Sequence, residues 1–75
     1  MPYIAIKSYP RDEATKRAAV ERISALACEV LGCPESAITI SYEEDAPADW
    51  EETVVKAEIE PKMEHVMILS GEKKF

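Results

Sequence analysis

The sequence predicts an α+β fold in two layers: a β-α-β unit whose helix packs on a small sheet, followed by short C-terminal helical segments. Three runs carry this prediction. Tyr3 to Tyr9 alternates with a period of two, Glu13 to about Leu31 repeats its apolar residues at steps of three and four, and Ala37 to Tyr42 alternates again. At 75 residues the chain is expected to form one domain, residues 1–75.

In the first run Ile4, Ile6 and Ser8 share one face and Tyr3, Ala5, Lys7 and Tyr9 the other, so the two isoleucines are expected to face the core. Pro10 stops the ladder because it has no N–H to donate. Asp12 stands where a helix N-cap would, and Glu13 supplies the negative charge that suits a first turn. Along the helix Ala19, Val20, Ile23, Leu26, Ala27, Val30 and Leu31 form one face, expected to be buried, while Lys16, Arg17, Glu21, Arg22 and Glu29 fill the other. Gly32 fits the position just past the end, and Pro34 follows it. Ile38, Ile40 and Tyr42 then alternate with Ala37, Thr39 and Ser41. A crossover through one helix makes the two strands parallel and right-handed in connection. It covers one sheet face only, which leaves Tyr3, Ala5, Lys7 and Tyr9 for another subunit to cover.

Glu43 to Trp50 reads as an acidic loop leading into a second, shorter helix that starts near Pro47 or Asp49 and sets Trp50, Val54 and Ala57 along one side. Pro61 interrupts it. Met63, Val66, Met67 and Leu69 are expected to add one more helical turn or two before Gly71 and the basic tail Lys73-Lys74-Phe75.

Fifteen acidic residues against nine basic give a net charge of −6, and no lysine or arginine stripe is present, which excludes nucleic acid as a partner. With 47% apolar residues and only two glycines, the chain is not a disordered one. A domain this short buries only about 60% of the surface its unfolded chain exposes. Support is then expected from disulfides, a metal or self-association. Cys28 and Cys33 read as buried, reduced thiols, one inside the apolar helical pattern and one just past its end. The single histidine, His65, has no cysteine at metal-ligand spacing, and the acidic group around Glu43–Glu52 lacks the glycine and ligand order of a calcium loop. No metal and no cofactor is expected. No wholly apolar run, Val66-Met67-Ile68-Leu69 included, exceeds four residues, far too short to span a membrane, and without a signal-peptide pattern a cytoplasmic location is expected.

Pro2 introduces chemistry of its own. Loss of Met1, which a following proline permits, would leave Pro2 a free secondary amine at the head of a strand, able to accept a proton and held rigid by its ring. Read in isolation, the same proline simply opens an edge strand, where it is tolerated.

The order of these pieces resembles the 4-oxalocrotonate tautomerase family: Met1-Pro2 and an alternating strand, Pro10-Arg11-Asp12-Glu13 ahead of an amphipathic helix ending at Gly32-Cys33-Pro34, then a short Ile-rich strand. Pro47-Ala48-Asp49-Trp50 and the run from Ala57 to Glu64 are similar to the longer-tailed subgroup of PptA-type bacterial tautomerases, which are dimeric where the type enzyme is hexameric. The resemblance implies a cofactor-independent keto–enol tautomerase, an isomerase acting on small 2-oxo or 2-hydroxy-enoic acids with Pro2 as general base. It implies a homodimer, with a hexamer as the alternative. Desolvation and a nearby arginine would both lower the pKa of the amine towards the neutral range where a base works best.

The resemblance further implies that Arg11 binds the substrate carboxylate and that Trp50 stands where the family has an aromatic wall. On the residues alone, Arg11 also reads as a solvated side chain beside an N-cap aspartate, and Trp50 as packing under the second helix. The family's second arginine aligns with Thr39, which donates one neutral hydrogen bond and neutralises no anion. A monocarboxylate with an apolar end, such as an arylpyruvate enol, is therefore favoured over a dicarboxylate. Two rival readings stand beside this one. The same base could activate water for addition to an unsaturated acid, as a hydratase or dehalogenase, or the fold could serve as a non-catalytic small-molecule-binding module, which Thr39 favours.

Overall fold

The computed structural model describes residues 1–75, which pack as two compact units, Met1–Glu44 and Asp45–Phe75. The first unit is the β-α-β element. β1, Tyr3–Ser8, lies parallel to β2, Thr39–Glu44, in a register that pairs Tyr3 with Thr39, Ile4 with Ile40, Ile6 with Tyr42 and Ser8 with Glu44. Between them runs α1, Glu13–Leu31. Both helix ends follow from their residues. Asp12 accepts the Thr15 N–H at 3.1 Å, and Gly32 takes the left-handed conformation, φ 68° and ψ 41°, that a residue with a Cβ resists.

Paired residues of a parallel ladder share a face, so Ile4, Ile6, Ile40 and Tyr42 lie on the helix side, where all four are half-buried. Tyr3, Ala5, Lys7, Thr39, Ser41 and Glu43 occupy the other side. There the Tyr3 hydroxyl lies 3.0 Å from Ser41 Oγ, and Lys7 pairs with Glu43 at 3.6 Å.

Four expectations for this unit need correction. β2 starts two residues later than the alternation suggests, because Glu35–Ala37 wind into a 3₁₀ turn behind Pro34. It also runs on to Glu44, because β1 still offers Lys7 and Ser8 as partners there. None of the apolar face of α1 is fully buried: Ala19, Val20, Ile23 and Ala27 are half-buried, and Leu26, Val30 and Leu31 are 59%, 73% and 60% exposed. A 19-residue helix is about 28 Å long and a six-residue strand about 20 Å, so the last turns of α1 overhang the sheet. The cysteines are free, as expected, but half-buried rather than buried.

In the second unit a 3₁₀ turn at Pro47–Asp49 leads to a π-helical segment, Glu51–Ile59, and another 3₁₀ segment, Glu60–His65. The Glu60 N–H reaches back five residues to the Val55 carbonyl, which is the wide winding. Pro61 has no N–H to continue it, and Lys62 leaves helical geometry at φ −113° and ψ 20°. The helical turns expected beyond Met63 stop at His65. Instead β3, Ile68–Leu69, pairs antiparallel with β4, Glu72–Lys73, across Ser70 and Gly71. Both turn residues have positive φ, 49° and 83°, as a two-residue hairpin with right-handed twist demands. No helix of the chain is long and apolar enough to cross a membrane.

Val54, 4% exposed, is the one hydrophobic side chain that is buried rather than half-buried. Val54→Ala should therefore lower the unfolding free energy by about 2 kcal/mol, read from the urea midpoint. Met67→Ala, at a side chain 63% exposed, should leave that midpoint nearly unmoved.

Candidate active site

Pro2 sits immediately before β1, and its carbonyl accepts the Thr39 N–H at 3.1 Å. A proline at a strand's first position gives the ladder what it can, an acceptor, and withholds nothing the ladder needs. The ring is half-buried while Met1 is 98% exposed, so Met1 adds little packing to this end of the sheet. Thr39 is thus Pro2's direct neighbour. Its side chain shares the open sheet face with Tyr3 and Ser41, which makes the polar groups nearest this end neutral hydroxyls.

Arg11 is held at the other end of the sheet. Its backbone N–H donates to Glu44 Oε2 at 2.9 Å, and the same oxygen meets Lys16 Nζ at 3.4 Å. Lys16 also pairs with Glu13 at 3.3 Å and lies 5.8 Å over the Tyr42 ring, and its side chain is only 22% exposed. The Tyr42 hydroxyl is 2.6 Å from Ser8 Oγ. The Arg11 N–H, helped by Lys16 and partly opposed by burial, holds the Glu44 carboxyl below its ordinary value. Arg11 itself is exposed, and its guanidinium is left without a carboxylate partner. A fixed main chain carrying an unpaired, fork-shaped cation can bind a carboxylate through two parallel hydrogen bonds.

Six residue steps of about 3.3 Å separate Pro2 from the Ser8–Glu44 end of the sheet, roughly 20 Å. One chain therefore brings Pro2 and Thr39 together and keeps Arg11 apart from both. Trp50 belongs to the second unit, half-buried where the Pro47–Asp49 turn meets the π-helical segment. A groove of the first unit, about 420 Å³, is lined by Val20, Glu21, Ser24, Glu35, Ile38 and Ile40. It contains none of these four residues, and two carboxylates without a cation suit an anionic acid poorly.

The profile of the family described as tautomerase enzyme matches residues 2–57. The chain belongs to the tautomerase family. Tautomerase PptA of Cronobacter sakazakii is 29% identical over 66 residues, covering 85% of this chain and 87% of that protein. Membership in the tautomerase family carries a tautomerase-type, isomerase function, and members of the family are typically oligomeric.

Two residues of this tautomerase-family chain escape a reading by polarity alone. Continuing Ile38, Ile40 and Tyr42 by one more step of two lands on Glu44, on the helix side. Lys16 counts as solvent-facing on polarity, yet its ammonium is drawn across the sheet end by two carboxylates and an aromatic ring.

The anchoring of Arg11 is a pH-dependent feature. A carboxyl whose folded pKa is depressed stabilises the fold above its ordinary value, here 4.5, and that contribution is lost as pH falls through the lower folded value. Asp12 behaves alike from its ordinary 3.8, held down first by the Thr15 hydroxyl. A thermal melting series from neutral to acid pH should show Glu44→Gln starting less stable than the parent and losing less on acidification. A parallel offset at every pH would rule the ionised carboxylate out as the anchor.

Proposed function

We propose that this chain interconverts the keto and enol forms of small 2-oxo acids, with Pro2, freed by loss of Met1, as general base and without a cofactor. Both units act in it as one domain, in the cytoplasm. The observation that carries the reading is Pro2 itself: a half-buried proline at the head of β1, anchored through its carbonyl alone, at the residue where the family match begins. Once free, the Pro2 nitrogen would take the enol hydroxyl proton and return it to carbon, so the base is regenerated in each cycle.

Arg11 holds the substrate carboxylate in this reading, and the strand length argues that it serves the Pro2 of a second copy of the chain. Thr39 contributes one neutral hydrogen bond beside the base, and Trp50 an apolar wall. With one cation per site, a monocarboxylate with an apolar end, such as an arylpyruvate enol, is the preferred substrate class. The assembly is a homodimer, the smallest that supplies the second copy.

Pro2→Ala should lower kcat on an arylpyruvate enol by about a hundredfold or more with the melting temperature unchanged, and Arg11→Ala should chiefly raise KM. Co-refolding the two variants should restore, at substrate concentrations well below the raised KM, turnover that neither shows there alone, because a Pro2 from one chain then meets an Arg11 from the other. Unchanged turnover in Pro2→Ala would remove the mechanism. A wild type with its Met1 cleaved, confirmed by intact mass, that is inert on every 2-oxo acid tried would favour the binding module.

A further inference from the structure

At the C-terminal end of α1, Gly32 and Cys33 both donate their backbone N–H to the Cys28 carbonyl, at 3.0 Å and 3.2 Å. With Gly32 left-handed at φ 68°, this is the paired turn in which the residue after the glycine folds back over the residue five before it. Such turns ordinarily put an apolar contact between those two side chains. Here both are cysteines, free and half-buried. A 3.2 Å backbone bond between the two residues themselves keeps their Cα atoms near the roughly 4.4–6.8 Å that a disulfide spans.

We propose that Cys28 and Cys33 are a redox-active dithiol at the helix cap, which a peroxide closes into a disulfide within one chain. The αL glycine folds Cys33 back over Cys28, so nothing has to unfold for the sulfurs to meet. Burial, with Cys33 and Glu35 adding to it, pushes the Cys28 thiol up and keeps it protonated, which makes it the poorer first nucleophile. Cys33 attacks the peroxide first. Its thiolate takes one peroxide oxygen as a sulfenic acid while the other leaves as hydroxide, which becomes water with the proton the Cys33 thiol gave up. The Cys28 sulfur then attacks the sulfenic sulfur, and the hydroxyl departs with the Cys28 proton as a second water. In sum two thiols and one hydrogen peroxide give one disulfide and two waters. Neither Pro2 nor any tautomerase step takes part, so this pair stands or falls independently of the proposed activity.

The bond would join α1 covalently to the segment that leads through Ile38 to Thr39, whose N–H holds the Pro2 carbonyl. The test uses the reduced, full-length protein and one equivalent of hydrogen peroxide. The expected product is lighter by two hydrogens, has lost both thiols to alkylation, and runs as a single chain on a non-reducing denaturing gel. Cleavage after glutamate cuts at Glu29, between the cysteines, and the peptides Arg22–Glu29 and Val30–Glu35 should stay joined until a reductant is added. Cys33→Ser should instead gain oxygen or link chains through Cys28. A Cβ on Gly32 meets nothing within 4 Å, so Gly32→Ala strains only the backbone and should close several-fold more slowly. Wild-type protein that gains oxygen, links between chains or keeps both thiols would overturn the proposal. So would Gly32→Ala closing as fast as the parent, because the turn would then not be what joins the sulfurs.

Discussion

The parallel pairing of β1 with β2 is the constraint on which the rest of the molecule depends. Its first bond, Thr39 N–H to the Pro2 carbonyl, sets the register, and every later pair follows from it to Ser8 opposite Glu44. That register decides which side chains face α1, and it also decides what lies at each end. Pro2 needs nothing from the ladder beyond its carbonyl, so its nitrogen is not spent on structure. Glu44, the last residue of β2, reaches the Arg11 N–H only because the strands finish level. A slip of one residue would turn Glu44 to the open face and release both Arg11 and Lys16.

A single chain does not bury enough to hold this arrangement firmly. Val54 is the only hydrophobic side chain with almost no exposure, and the β-α-β unit closes on half-buried isoleucines. Meanwhile Leu26, Val30 and Leu31 overhang the sheet, and Tyr3 stands 66% exposed on its uncovered face. Two strands are marginal without further cover, and apolar surface left at the helix end is the kind that association removes from water. The typical self-association of the family thus has a physical ground in this chain: the helix is longer than the sheet it covers, and the sheet has two faces and one helix.

How much of this was legible beforehand depended on whether a residue's role was local. The span of α1 was readable to both ends because Asp12 and Gly32 are specific caps, and β1 to within one residue, since it ends at Ser8 rather than at Tyr9 before Pro10. The limits of β2 were not, since its start yields to a 3₁₀ turn after Pro34 and its end is set by how far β1 extends. The run Val66-Met67-Ile68-Leu69 has no period to separate helix from strand, and the hairpin was decided by Ser70 and Gly71 together. Pro2 and Thr39 are made neighbours by the parallel register, which no spacing in the sequence sets. The Lys16–Glu44–Arg11 cluster needed the third dimension, because it joins three elements whose spacing in sequence carries no period.

Charge narrows what the Arg11 end can hold. In the first unit Lys7 is paired with Glu43, Lys16 with Glu13 and Glu44, and Arg17 with Glu13 at 3.8 Å. Arg22 lies exposed on α1, away from the sheet end, which leaves Arg11 as the unpaired cation there. A second carboxylate on the ligand would therefore meet neutral hydroxyls or the excess of negative charge on a chain of net −6, and its desolvation would go uncompensated. In the proposed reading a single carboxylate would meet one fork-shaped cation whose main chain is already fixed by Glu44. Adding a second guanidinium at Thr39, beside Pro2, would change both the charge a ligand could carry and the proton affinity of a freed Pro2 nitrogen, since a nearby positive charge disfavours its protonated form. Ligand charge and base strength are therefore coupled through one position, and a neutral side chain there ties a singly charged ligand to a more basic proline.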